Sequence, residues 1–307
     1  MPTTSNILMI RPVHFGFNAE TAVNNRFQVA GNNENTQEKA LREFDDFVNT
    51  LRKNDISVMV AEDTPIPHTP DSLFPNNWIS FHEDGSVVLY PMFAVNRRQE
   101  RKEHVLEAIK TSFTIASITD LSLNEDKGVF LEGTGSMVLD RDHKIAYACL
   151  SARTDPGLLT AFCKKFGYQP FVFHATDENG DEIYHTNVMM CVADRYVVIC
   201  LDAITDAKEK ADIVKLISGS DKEIIEITQT QLNHFAGNML QVENRQQEKL
   251  LVMSTQAYQS LNPAQIGQLT RYNPIVHAEL STIEKNGGGS ARCMMAEIFL
   301  PRSKKAG

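Results

Sequence analysis

Short apolar runs alternate along the chain with amphipathic stretches of helical period, in an order that repeats. Residues 7–10 form the first apolar run and predict a strand. The polar, asparagine-rich stretch 23–35 predicts a loop. From Thr36, a reasonable N-cap, Ala40, Leu41, Phe44, Phe47, Val48 and Leu51 fall on one helical face. Asn54 ends that helix, and residues 56–60 predict a strand. Residues 64–75 carry four prolines, Pro65, Pro67, Pro70 and Pro75, and predict a loop. Strands over 78–82 and 87–90 pair about an Asp-Gly turn at 83–86. A helix over about 97–112 turns Val105, Leu106 and Ile109 inward, and residues 114–118 predict the next strand.

The same order then recurs. Residues 129–139 and 144–150 predict two strands about the turn 140–143. Asp155 caps a helix with Pro156 at its first position, Gly167 ends it, and a strand follows at 169–174. The next unit reads as strands 187–192 and 196–201, a helix 206–218 and a strand 223–227. After it come strands 238–242 and 250–254, a helix 263–270 and a strand 274–277. The last strand, 294–300, has no successor, but strand 7–10, helix 37–53 and strand 56–60 complete it.

The units open at Asn77, Glu132, His185, Asn238 and Cys293, spaced 55, 53, 53 and 55 residues apart. A fixed period of this length predicts a propeller-like array, and a strand borrowed from the opposite terminus removes the exposed edge. The expected fold is therefore α/β, a five-fold pseudosymmetric propeller of ββαβ units. A single domain is expected over 1–307, with both termini in one blade. In such a ring the five openings face the central axis and converge.

Their residue types suggest chemistry. Three glycines, Gly287–Gly289, run into Cys293, and such a loop can hold a thiol at the mouth of a pocket. A thiol needs a base or a lowered pKa to act as a nucleophile near neutral pH. His185 could activate it or protonate a leaving group. Glu132, a lone acid expected inside an apolar strand and followed by glycines, must find a partner there. The other eight histidines read as hydrogen-bonded structural groups.

Composition narrows the class. Hydrophobic content of 42% and charged content of 22% are ordinary for a globular protein that buries a substantial core. The net charge of −9 argues against nucleic acid as a partner, and the basic tail at 302–305 reads as solvated. There are five cysteines and no CxxC pair, so Cys149, Cys163, Cys191 and Cys200 read as core thiols in a reducing compartment. No basic segment followed by an apolar stretch opens the chain, and no apolar run reaches the ~18 residues of a membrane span, so a cytoplasmic location is expected. Without HExxH, paired Cys–His spacing, a Walker loop or a dinucleotide fingerprint, no metal and no cofactor is expected.

A set of segments carries a resemblance: Phe74-Pro75-Asn76-Asn77-Trp78-Ile79-Ser80, Leu131-Glu132-Gly133-Thr134-Gly135-Ser136, Leu150-Ser151-Ala152-Arg153-Thr154-Asp155, Tyr184-His185-Thr186-Asn187 and Gly287–Cys293. In this order, over nearly the whole chain, they resemble the pentein superfamily of guanidine-modifying enzymes. The resemblance is to its amidinotransferase-like branch, nearest the citrulline-utilisation hydrolases. It implies a five-bladed α/β propeller and an enzyme in which Cys293 attacks the central carbon of a ureido or guanidino group. His185 would protonate the departing amine and then activate water, and Glu132 would grip substrate nitrogens. Arg153 would bind a substrate carboxylate. Asn77, Asn187, Phe74 and Asn238 complete the expected substrate-binding set. The implied partner is a small amino acid, with a homo-oligomer as one possible assembly.

Two departures bear on the substrate. Many relatives have an aspartate where this chain has Asn77, and His-x-Asp where it has His185-Thr186-Asn187. Gly135-Ser136 also stands where a Glu-Gly-Gly-Asp segment usually supplies its aspartate. A guanidinium only donates and suits carboxylates, whereas a ureido group is neutral and has a carbonyl. Facing a buried cation with amides forfeits about 3–5 kcal/mol of charge pairing. The expectation is therefore citrulline hydrolysed to ornithine, ammonia and carbon dioxide. An arginine deiminase or dihydrolase, an amidinotransferase, and a non-catalytic ligand-binding ring stand as alternatives.

Overall fold

The computed structural model describes residues 3–29 and 35–303. Five three-stranded sheets surround one axis, each with an antiparallel first pair and a parallel second pair bridged by helix. The five ββαβ units are those of the sequence pattern. In the split blade, Asn6–Arg11 pairs antiparallel with Ala296–Glu297 and parallel with Ser57–Glu62. Thr4 Oγ1 donates to the Ile298 carbonyl at 2.9 Å, which fastens the two ends of the chain together.

The helices form where side-chain spacing and capping agree. Thr36–Lys53 buries Ala40, Phe44, Phe47, Val48 and Leu51 against the split blade. In Pro156–Phe166, the Asp155 carboxylate accepts from Leu158 N at 2.7 Å, Pro156 needs no donor, and Gly167 exits at φ 70°. Thr36 is the first helical residue and Asn35 the cap. Part of the predicted loop 23–35, and of the basic tail 302–305, lies outside the described residues.

The structure differs from the pattern where the units open. The predicted strand 129–139 is a helical turn, Gly133–Ser136, with Glu132 at its N-cap, followed by the strand Val138–Asp140. Likewise His185 caps the turn Thr186–Met189, and the strand is Met190–Val192. Close packing of the turns at the axis is the reason. A Cβ on Gly133 (φ +48°) would lie 2.4 Å from the Asn76 carbonyl, a contact extended strands bearing side chains could not make. The predicted helix 97–112 is also broken. A 3-10 segment, Asn96–Glu100, turns Arg97 and Glu100 inward before the helix Glu103–Lys110 begins. The Gly287–Gly289 run follows a helix, Ser281–Gly287, that the sequence reading missed, and Gly288 ends it at φ 63°. No helix among the described residues is long and apolar enough to cross a membrane.

Candidate active site

The openings meet. Cys293 is buried, and its Sγ receives the amide Nδ2 of Asn238 at 3.3 Å and that of Asn187 at 3.6 Å. Asn238 Nδ2 also donates to the Asn187 carbonyl at 2.9 Å, and its Oδ1 accepts from Arg292 N at 3.1 Å. Two amide N–H groups from neighbouring openings thus point at one sulfur. A Cβ on Gly135 would stand 2.3 Å from Asn77 Nδ2 and 2.9 Å from the His185 ring, so glycine lets these openings touch.

His185 Nε2 and Glu132 Oε2 are 2.7 Å apart, both buried. Glu132 Oε1 accepts from Phe93 N at 2.9 Å, and Arg153 Nη1 lies 3.4 Å from Oε2. Burial opposes ionisation of Glu132, but the Arg153 cation and the His185 hydrogen bond prevail and hold its carboxyl well below the usual range. Burial also pushes the His185 imidazole down to about 4, against the pull of Glu132. At neutral pH the pair is therefore a carboxylate beside a neutral imidazole, which is a base able to take a thiol proton.

Cys293, His185 and Asn77 line one cavity, together with Asp71, Arg97 and Arg153. Phe74 lines it too. Its ring packs flat enough on the glycine run that a Cβ on Gly287 or Gly289 would come within 2.9 Å of it. Asn187 and Asn238 do not line this cavity, because their amides are spent on the sulfur and on backbone. Glu132 does not line it either, and its oxygens are bound to His185, Arg153 and Phe93 N.

Three charged residues of the site were not legible as such. Arg97 is buried, grips Glu100 through Nε (2.9 Å) and Nη2 (3.0 Å), and donates from Nη1 to Asn77 Oδ1 at 2.9 Å. Burial raises the Glu100 carboxyl to about 7 despite that cation. Asp71 Oδ2 accepts from Asn18 Nδ2 at 2.7 Å and Thr21 Oγ1 at 3.1 Å, and its Oδ1, fully buried, has no partner. The available signals were an acid set among Ser72, Leu73 and Phe74, and the i,i+3 pair Arg97/Glu100.

The segment around Asn18–Gln28 covers the cavity. Arg153 donates to the Thr21 carbonyl at 2.9 Å and to Asn24 Oδ1 at 3.0 Å, and Asn25 Nδ2 donates to the Gly288 carbonyl at 3.3 Å. Among the described residues no cluster of His, Cys, Asp and Glu could hold a metal ion.

Residues 11–300 match the family model described as N,N dimethylarginine dimethylhydrolase, eukaryotic. No curated protein matches the chain. Among solved structures, ArgZ, an arginine dihydrolase from the ornithine–ammonia cycle in cyanobacteria, superposes with a TM-score of 0.75 at 19% identity. That match covers 96% of this chain but 41% of ArgZ, so the chain spans well under half of that protein. The N-terminal domain of ArgZ bound to product gives a TM-score of 0.72 at 19% identity, covering 96% of this chain and 99% of the domain. A variant of dimethylarginine dimethylaminohydrolase, captured as an adduct with S-methyl-L-thiocitrulline, gives 0.64 at 13% identity, covering 96% and 100%.

Proposed function

The chain belongs to the N,N-dimethylarginine dimethylhydrolase family, and so to the pentein superfamily of guanidine-modifying enzymes; from that premise we propose that it hydrolyses the ureido group of citrulline. The observation that carries this reading is the orientation of the Asn77 amide. Arg97 can only donate, so the Asn77 atom 2.9 Å from its Nη1 must be the carbonyl oxygen. The amide nitrogen is then left over, and it is buried with no partner. A buried unpaired donor asks for an acceptor. A ureido carbonyl supplies one, and a guanidinium, all donors, does not.

The rest of the cavity suits a free α-amino acid. The orphaned Oδ1 of Asp71 offers an acceptor to an α-ammonium. Arg153 now donates to two neutral acceptors, the Thr21 carbonyl and Asn24, and an α-carboxylate would outcompete both.

In this reading the Cys293 thiol gives its proton to neutral His185, and the resulting imidazolium is held by Glu132. The sulfur adds to the ureido carbon as a C–N bond breaks, and His185 protonates the departing nitrogen. Water, deprotonated by His185, then displaces the sulfur and restores the Cys293 thiol; the carbamic acid so released breaks its remaining C–N bond to give carbon dioxide and the second nitrogen product. Citrulline and one water thus give ornithine, carbon dioxide and ammonia. Purified protein given citrulline or arginine in parallel, with ornithine quantified, tests the reading. Faster ornithine release from citrulline is expected, and faster release from arginine would overturn it.

A further inference from the structure

The turns that meet at Cys293 divide the propeller axis in two. Behind them lies a second, narrow cavity of about 40 Å³, reaching inward to Thr134 and Asn187. The inner strands Val138–Asp140, Met190–Val192 and Leu240–Glu243 supply much of its wall. Asn187 stands in the partition. It lines this rear cavity while its Nδ2 lies 3.6 Å from Cys293 Sγ.

The interior of a small closed ring of strands is ordinarily filled by side chains, and a propeller leaves a central channel. Here the wall is charged. Lys222 and Asp140 face each other at 3.4 Å, both almost fully buried, and Arg292 pairs with Glu297 at 2.9 Å. Such a lining suits water, whereas an apolar cavity stays dry. The front cavity offers no comparable route in the closed state, because the Asn18–Gln28 segment is fastened to Asp71 through Asn18 and Thr21 and to the Gly288 carbonyl through Asn25. During turnover the amino acid itself would fill what remains.

Each cycle nonetheless consumes one water and releases one ammonia. We propose that the rear cavity is the route by which water reaches the carbon on Cys293, and ammonia leaves it, past the Asn187–Thr134 partition while the front stays closed. The proposal rests on Cys293 being the nucleophile, and not on whether the substrate is a ureide or a guanidine. Only small neutral molecules would pass, and the amino acid would enter and leave by the front.

Filling the rear cavity from two different blades tests this. Val192→Trp and Leu240→Trp each place a large ring on its wall, and Val192→Thr serves as the size-neutral control. In both tryptophan variants the Cys293 adduct is expected to form at the unaltered rate in a single turnover, while steady-state kcat falls about tenfold. The second readout needs no turnover. With ornithine saturating the front, Cys293 of the unaltered protein is expected still to react with hydrogen peroxide, and the filled variants to react about tenfold more slowly. Without ornithine all of them should react alike. Complete protection of the unaltered protein by ornithine, or filled variants that are oxidised and turn over at the unaltered rate, would overturn the proposal. The oxidation readout stands whichever substrate the enzyme prefers, so the two ideas fail separately.

Discussion

Arg97 Nη1 and Asn77 Oδ1 are 2.9 Å apart, and because a guanidinium cannot accept, this contact fixes which face of the amide looks into the cavity. Glu100 holds Arg97 in turn through two nitrogens. In the proposed reading the substrate preference is therefore set two residues deep.

The first prediction tests that chain of contacts. Asn77→Asp replaces the free donor with a second carboxylate oxygen against Arg97. A lost donor to a buried carbonyl costs about 1–3 kcal/mol. Citrulline kcat/KM should fall roughly tenfold to a hundredfold, and the citrulline-to-arginine ratio should fall at least as far. Steady-state assays on both substrates check this, and an unchanged ratio would contradict it.

The second concerns the acid–base pair. Glu132→Gln removes the charge that stabilises imidazolium His185, so kcat should fall by about 10²–10⁴. Its acid limb should move as well. His185 in the unaltered protein takes up a proton near pH 4, with burial the larger influence and Glu132 opposing it. Protonated, His185 can no longer accept from the thiol, so activity is lost as pH falls through that value. Without Glu132 the opposition is gone, and the loss should come at lower pH. The kcat–pH profile of the variant checks the direction.

The third concerns the close packing of the openings. Gly135→Ala puts a methyl 2.3 Å from Asn77 Nδ2 and 2.9 Å from the His185 ring. Both catalytic and binding groups would have to move, so activity should drop at least a hundredfold, with destabilisation of about 1–3 kcal/mol from overpacking. Parallel denaturation and activity measurements check this.

The fourth is a stability–pH relationship away from the catalytic pair. Glu284 is 2% exposed, its carbonyl accepts from the Gly288 N–H at 2.9 Å and its carboxyl accepts from Ser290 Oγ at 2.6 Å; burial lifts that carboxyl to about 7. The folded protein then keeps a proton that the unfolded chain releases above its ordinary value of 4.5. Stability should fall as pH rises between those values, by on the order of 3 kcal/mol from this group. Glu284→Gln mimics the neutral acid and should flatten that fall, as read from Tm against pH.

The sequence was most informative where one residue type serves one local need. Asp155, Pro156 and Gly167 bound their helix as capping rules require, and the apolar face of Thr36–Lys53 is the one its spacing gives. The ring was legible because a polar or reactive residue recurs at nearly constant spacing. The helical turns at those openings were not legible, since four residues such as Gly133–Ser136 are too short to show a period. Asp71, Arg97 and Glu100 were hidden for a different reason. Charged residues in loops are normally solvated, and only the packing of neighbouring turns buries these. The covering role of Asn18, Thr21 and Asn24 depends likewise on contacts 50 or more residues away.

The central claim is that Cys293 bonds to the ureido carbon. Intact-protein and peptide mass spectrometry of enzyme quenched during citrulline turnover measures it directly. The account predicts an adduct on the Cys293 peptide that retains the ureido carbon, and neither adduct nor ornithine with Cys293→Ala. Ornithine release by Cys293→Ala at the unaltered rate would contradict it.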